Sequence, residues 1–531
     1  METKEYIVSL NKDIDYDQFW NEIETTTTGI ASIPDRPVSI VNNRDGSLRN
    51  CHYALTDAEA NILRRDPRVY AVELAMHLRD DIEISPVSTQ NANFSKTTSS
   101  SGNYVNWGLI RNSNSTNVYG VSTTTPNLYN YVFDGTGVDV VIHDSGLQVD
   151  HPEFTDSNNN TRVRQIDWYA ASGLPGTQSP NHYRDFHGHG THVGGIVAGK
   201  TYGWAKNADI YSLKVSGLEG SGDSGTGISV YDCFDVVKLW HRNKTNGRPT
   251  VVNMSWGYRG TFNVAGGVYR GVSWTGTANP NYGMISSYYN ARVSSVDVDL
   301  EELIDAGVIV CVAAGNYYAK IDVPGGPDYN NTWTDGSYSY YYHRGSSPYS
   351  ANAIIVGALD STVYSGTLDK KAAYSSGGPG VSVYAAGSYV MSSTSNTNVL
   401  GGTTRSDGFK QVNISGTSMA SPQVAGMSAL YLQSHPTATP SQVKEWVLNN
   451  STQTVWANVA NVSANDYPTT TSLWGGSANV AYQPLIGATQ VKNNGSWEYV
   501  ANAFVKTSSD TWSTVKSVWT KVDDTTWKQV Y

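Results

Sequence analysis

A serine set among small residues at the start of a helix packs poorly but is a good mount for a nucleophile, and Gly416-Thr417-Ser418-Met419-Ala420-Ser421-Pro422 supplies one. The run that follows, Gln423 to Leu432, is apolar on nearly every side, so the helix is expected to be buried with Ser418 at its rim, where free backbone N–H groups favour developing negative charge. A hydroxyl is a weak nucleophile and needs a base, and the base needs a group that orients it. Val138 to Gly146 reads as a buried parallel strand that ends in Asp144 and a Gly turn. Asp185 to Gly195 sets His189 just before a Gly-rich helix start. With a reference pKa of about 6.5, an imidazole can take a proton and later return it. Asp144, His189 and Ser418 together would support acyl transfer.

These three segments, in the chain order Asp, His, Ser, resemble the subtilisin-like serine proteases from Trp107, which looks like the start of a mature catalytic domain, to the Leu448 region. A fourth motif, Val308-Ile309-Val310-Cys311-Val312-Ala313-Ala314-Gly315-Asn316, matches the family's oxyanion strand, and the resemblance implies that Asn316 donates to the oxyanion beside the Ser418 amide. Val251 to Gly257 resembles the strand that pairs with substrate backbone, so Ser255, Trp256 and Gly257, with Ala313, Ala314 and Gly315, are expected to flank the residue before the scissile bond. Ala373 to Gly380 resembles the segment between the oxyanion strand and the nucleophile helix.

Other candidates are read as structural. His143, His151, His182, His187 and His192 are expected to be packing or surface residues, although His187 and His192 flank the proposed base. Many members of the family bind calcium, which takes several oxygen ligands. Glu153 stands where one common site has an Asp, but Ala198 to Ala205 is too short for the family's ligand-bearing loop, so no metal residues and no cofactor are assigned, and calcium stays open with its ligands unknown. Asp156-Ser157-Asn158-Asn159-Asn160 reads as a solvated turn.

The net charge of −10, with no dense Lys/Arg block, argues against a nucleic-acid partner. The three cysteines, Cys51, Cys233 and Cys311, form no disulfide framework, and Cys233 and Cys311 read as buried. There is no apolar run of about 18 residues to span a membrane. Met1 to Glu5 leads at once into a strand pattern, so no classical signal peptide is expected. The charged fraction is only 15%, and Ser, Thr, Asn, Gly and Tyr abound, a composition associated with extracellular or virion proteins; a cytoplasmic location is the alternative.

The elements that must position these residues follow an α/β plan, a mostly parallel sheet flanked by helices. Strands are expected at 138–144, 208–215, 250–256, 308–314 and 353–359, with a helix from Ile228 to Trp240. Before them, residues 1–76 read β-α-β-β-α-β, a ferredoxin-like α+β unit. Its strands are Tyr6–Leu10, Arg36–Val41, Cys51–Leu55 and Val69–Leu74, its first helix is Asp15–Ile23, and a capping box at Thr56 and Glu59 opens its second. In position and pattern this unit resembles the inhibitory propeptides of subtilases, which implies a zymogen whose own N-terminal domain is an intramolecular inhibitor. Residues 77–104, with the polar stretch Ser88 to Asn103, read as an exposed linker that holds a processing site. The catalytic domain is assigned to 105–455, a second linker to 456–484 and a small β repeat module to 485–531.

Two insertions, Tyr258 to Val293 and Tyr317 to Ser350, adjoin the pocket motifs and are expected to form cleft walls or a partner surface. In the last module Trp497, Trp512 and Trp527 each open Trp-x-x-Val, with Val500, Val515 and Val530, at intervals of 15 residues. This looks like a short hairpin array of the kind found at the ends of phage structural proteins, and the whole is similar to phage-encoded subtilases. A self-processing serine endopeptidase acting on proteins or peptides and attached to virion proteins is therefore expected. The rival is a virion structural or adhesion protein that keeps the fold with little turnover.

Overall fold

The computed structural model describes the chain apart from residues 1, 26, 28–29, 43–48, 76–77, 79–81, 85–87, 125–127, 224, 456–472, 485–488, 494–495, 500–503, 509–510, 515–518, 522–526 and 530–531. It divides into two units, Met1–Pro86 with Gly487–Tyr531, and Val87–Ile486.

In the first unit the expected alternation is present. Strands Lys4–Leu10, Ile40–Asn42, Asn50–Leu55 and Val69–Leu74 form an antiparallel sheet in which the first strand lies between the third and the fourth. Helices Tyr16–Thr25 and Asp57–Leu63 belong with it, and Phe19, Trp20, Ile23, Ala60 and Leu63 join Val8, Leu10, Tyr53 and Leu55 in one core. The capping box forms as its sequence predicts, with Thr56 accepting from the Glu59 N–H and Glu59 from the Thr56 N–H. Ile82–Ile84 pairs with Thr489–Asn493, so the carboxyl-terminal strands group with this unit. The Trp-x-x-Val segments lie on three hairpins, in which Trp497, Trp512 and Trp527 stand opposite Lys492, Lys506 and Lys521. Val500, Val515 and Val530 lie outside the described residues.

The second unit is built on a ten-stranded sheet. Its parallel centre runs Val383–Ala386, Ile354–Ser365, Ile309–Ala313, Thr250–Met254, Asp139–Asp144, Asp209–Lys214 and Val163–Arg164. Asp139–Asp144, Thr250–Met254 and Ile309–Ala313 are buried at every position, which explains why they read as near-continuous apolar runs rather than as an alternation. Helix Thr417–Ser434 packs across four of these strands and against helix His189–Ala198, while Val230–Asn243 packs on Ser294–Asp305. Cys51, Cys233 and Cys311 are buried and form no disulfide.

Both linker expectations need correction. Ser88–Asn91 pairs with Leu128–Tyr131, and Phe94, Ser95 and Lys96 are buried in the second unit, so the Ser88–Asn103 stretch is part of that unit, although Ser88, Thr89, Asn91 and Asn93 stay exposed. Polar composition misled because the backbone there is satisfied by a neighbouring strand and by side chains such as Gln411 and Asn413, while Phe94 is buried as an apolar anchor. Likewise Asn479–Val480 adds a strand beside Val383–Ala386, and Leu473 and Trp474 are buried, so residues 473–484 belong to the folded unit.

The two insertions meet each other. Gly266–Tyr269 and Val272–Thr275 from the first join Thr332–Thr334 and Ser339–Tyr341 from the second in one four-stranded sheet. Met284, Tyr289, Trp333 and Tyr342 form its core, with Phe262, Trp274, Tyr282 and Tyr340 packed around them.

Candidate active site

Asp144 ends its strand at the carboxyl edge of the sheet and is 1% exposed. His189 is the first residue of its helix, behind Gly188 at φ 88°, a left-handed conformation that suits glycine. The two meet across a close turn. A Cβ on Gly190 would stand 2.0 Å from the Gly146 carbonyl, so only glycine lets the helix start sit on the turn that follows Asp144. The His189 Nδ1 to Asp144 Oδ1 distance is 2.8 Å, and Asp144 Oδ1 also accepts from the Ser145 N–H. Burial of the His189 ring pulls its pKa down, but the charge and hydrogen bond of Asp144, with Asp185 behind, outweigh it, and the net shift is upward.

Ser418 lies in the first turn of its helix, which is otherwise buried almost throughout. Its hydroxyl donates to the Ser255 carbonyl at 3.0 Å, and the Ser255 hydroxyl donates in return to the Ser418 carbonyl at 3.0 Å. Asn253 carries this clamp. Its Nδ2 donates to Ser255 Oγ, and its Oδ1 accepts from Ser421 Oγ. Asp144, His187, His189, Ser255 and Trp256 line one cleft of about 310 Å³, so the Ser255 bond brings Ser418 to the cleft that holds the Asp–His pair.

The end of strand Ile309–Ala313 is tied to the same helix. Thr417 Oγ1 accepts from the Gly315 N–H and donates to Asn316 Oδ1, which also accepts from the Thr417 N–H at 2.9 Å. With its oxygen held twice, Asn316 presents its Nδ2 as the free donor. A Cβ built on Gly416 would lie 3.4 Å from Asn316 Nδ2 and 3.5 Å from the Ser418 nitrogen, so the two donors border the space that glycine leaves empty.

Sequence reasoning missed two supporting groups. Asp185 is buried; one oxygen accepts from Ser145 Oγ and the Gly188 N–H, the other from the N–H and hydroxyl of Thr191, which fixes the His189 loop to the Asp144 loop. A carboxylate shortly before a helix start was the signal for it. His143 is buried and stacks on Trp256, whose Nε1 donates to His143 Nδ1 at 3.1 Å. Burial pushes the His143 pKa down to about 4, so it is neutral and able to accept. The other histidines divide. His192 Nε2 faces the carbonyls of Val390 and Val412, His182 accepts from the Lys214 N–H, and His151 faces the Lys410 carbonyl. Of His151, His182, His187 and His192, it is His187, two residues before the base, that lines the cleft.

Glu153 does not fit a calcium ligand. One carboxylate oxygen takes the Arg405 guanidinium at 2.8 Å and the other the Thr201 N–H at 2.7 Å. Nearby carbonyls face side-chain cations: Arg162 reaches the carbonyls of Ala208, Glu153 and Ala198, and Lys206 those of Lys200 and Gly203. Asp156 caps its own turn through the Asn158 and Asn160 N–H groups.

Residues 135–474 match the family model described as the Subtilase family. The chain is 28% identical over 419 residues to the extracellular serine proteinase of Thermus sp. (strain Rt41A), covering 79% of this chain and 75% of that one. It is 30% identical over 358 residues to Proteinase R of Parengyodontium album, with 67% of each covered. A solved cold-adapted subtilisin-like serine proteinase aligns at 24% identity with a TM-score of 0.45, over 71% of this chain and 97% of that one.

Proposed function

The chain belongs to the subtilase family and is a serine endopeptidase, and from that premise we propose that Asp144, His189 and Ser418 are its catalytic triad and that it matures by cutting itself. Ser418 Oγ attacks the peptide carbonyl as His189 takes its proton, and Asp144 holds the imidazole tautomer and offsets its charge. The oxyanion forms between Asn316 Nδ2 and the Ser418 N–H. His189 then protonates the leaving amine, and water releases the acyl group by the same route. Ser255, Trp256 and Gly257 on one side, and Ala313, Ala314 and Gly315 on the other, border the substrate residue before the scissile bond.

The observation that carries this reading is the double anchoring of Asn316 Oδ1 by Thr417, which leaves one donor on each side of the Gly416 gap. A scaffold has no use for that arrangement. No calcium ion is assigned a role in this reading. The amino-terminal fold supports a propeptide role as intramolecular inhibitor, and the hairpin array supports attachment to virion proteins, with the enzyme acting on the virion or outside the cell. Intact mass of fresh wild type beside Ser418→Ala tests self-processing. Loss of an amino-terminal fragment by the wild type alone supports it; two uncut proteins refute it.

A further inference from the structure

Several arginines of the second unit hold a carboxylate: Arg111 pairs with Asp369, Arg270 with Asp328, Arg292 with Asp297 and Arg405 with Glu153. Arg259 is exposed and forms no ion pair among the described residues. It is held in place all the same. Its guanidinium lies over the Tyr288 ring, 4.5 Å from the centroid, and that ring stands 6.0 Å from the ring of Tyr317. Burial raises the Tyr317 pKa, whereas Arg259 pulls it down through its charge and a hydrogen bond donated to the hydroxyl oxygen, and no carboxylate adds to either effect.

Position gives this cluster its meaning. Arg259 follows Gly257 by two residues and Tyr317 follows Gly315 by two, so both walls that border the substrate residue lead into it. The strand pairing fixes which way Arg259 faces. Arg259 stands opposite Asn290, and Thr261 opposite Tyr288, in an antiparallel pair whose opposed residues and second neighbours share a face. On that face Asn290 reaches Ser376 Oγ and lies against Gly315, and Tyr288 meets Tyr317. Arg259 is therefore turned toward the Gly315–Tyr317 wall. Unlike the buried Asn290 it is open to solvent, as are Tyr288 and Asn316 beside it.

A guanidinium stacked on a ring keeps the N–H groups of its edge available, and two of them match the oxygens of a carboxylate. The tyrosine platform already limits its rotamers, so less freedom is lost when a partner arrives. In open water such a pair gains little, but a substrate laid along the cleft excludes water and strengthens it.

We propose that Arg259 is a specificity-determining residue: on the platform of Tyr288 and Tyr317 it closes the outer end of the pocket for the residue before the scissile bond and pairs with a carboxylate side chain there, so that glutamate is preferred. The inference rests on the assignment of Ser255–Gly257 and Ala313–Gly315 as the pocket walls. Glutamine has the shape of glutamate without the charge and lysine carries the opposite charge, so the two separate recognition of charge from fit and from repulsion.

The test uses three tetrapeptide anilides that differ only in Glu, Gln or Lys before the anilide, with kcat/KM measured per fluorophosphonate-titrated site at low and at high salt. The wild type is expected to favour Glu over Gln by about tenfold or more and Glu over Lys by about a hundredfold, with both ratios shrinking at high salt. Arg259→Gln should bring the Glu:Gln ratio to within about threefold of one, chiefly through loss of the Glu rate, and Arg259→Glu should invert the Glu:Lys order. Tyr317→Phe removes only the hydroxyl that the guanidinium faces and should lower the Glu:Gln ratio severalfold while keeping the order. A wild-type Glu:Gln ratio near one, or a ratio unmoved in Arg259→Gln, overturns the proposal. Should the Arg259 variants fail to fold, as judged by their titratable fraction, the Tyr317→Phe ratio and the salt dependence decide. Failure of the protease reading looks different: the wild type then takes up no phosphonate and cleaves none of the three.

Discussion

Replacing Asn316 separates two duties that the structure gives to one side chain. Its Oδ1 accepts from the Thr417 N–H and hydroxyl, both at 2.9 Å, and its Nδ2 is left as the donor that the proposed mechanism aims at the oxyanion. Asn316→Ala removes both. Loss of one oxyanion donor is expected to lower kcat about 100- to 1,000-fold, or about 2.7–4 kcal/mol of transition-state stabilisation. The orphaned Thr417 N–H adds a stability cost of about 1–3 kcal/mol. Asn316→Asp keeps an acceptor for Thr417 and loses only the donor, so its unfolding midpoint should stay near that of the wild type while kcat falls at least as far as in the Ala variant. KM should change little in both, since the bond strengthens only as charge develops on the oxygen. The assay is steady-state hydrolysis of a peptide anilide per phosphonate-titrated site, paired with thermal unfolding. A kcat for Asn316→Asp within tenfold of wild type would refute the reasoning, because the donor would then be doing nothing that water cannot replace.

Three further outcomes are expected. The pKa of His189 is raised and only its neutral form is a base, so kcat/KM should rise with pH through an apparent pKa above the reference 6.5; Asp144→Asn should move that midpoint down and cut kcat about 10,000-fold, and a wild-type midpoint below 6.5 counts against the pairing. Gly190→Ala would set a methyl 2.0 Å from the Gly146 carbonyl and should cost about 1–3 kcal/mol or more in urea unfolding; an unchanged midpoint would show that the turn yields freely. Arg405→Ala leaves the Glu153 carboxylate buried without its cation and should cost about 3–5 kcal/mol at pH 7. Burial raises the Glu153 pKa, but Arg405 and the Thr201 N–H more than offset it, so the net shift is downward. A depressed carboxylate contributes stability above its unfolded value of 4.5 and loses it as pH falls through the folded value. In Arg405→Ala the raising effect of burial is no longer offset by the guanidinium, so the variant's Glu153 can take up a proton as pH falls; its deficit in denaturant unfolding should shrink from pH 7 toward pH 4, and a pH-independent deficit would contradict the ion pair.

The residues proposed for catalysis stood out in the sequence because their surroundings are constrained backbone and buried strands, which leave marks at fixed spacing. Gly188 and Gly190 around His189, Gly146 after Asp144 and Gly416 before Ser418 are each required by a turn, a close approach or an open space. The strands Asp139–Asp144 and Ile309–Ala313 are buried on both faces, so their apolar runs showed through. What escaped was tertiary. Asp185 acts on Ser145 from 40 residues away, and His143 holds Trp256 through a bond that spans 113 residues. The aromatic lobe is assembled from two segments separated by the whole oxyanion strand, so no local period announced that Phe262 and Trp333 share a core. The segment around Phe94 was misread for the opposite reason, since its polar composition hid a strand pairing with Leu128–Tyr131.

The most direct test of the central claim is to label the folded protein with a fluorophosphonate and map the adduct by peptide mass spectrometry. A single adduct on Ser418, not formed when the protein is heat-denatured before labelling and strongly reduced in His189→Ala, is what the triad predicts. A natively folded protein that takes no label, or one that carries it on another serine, would contradict it.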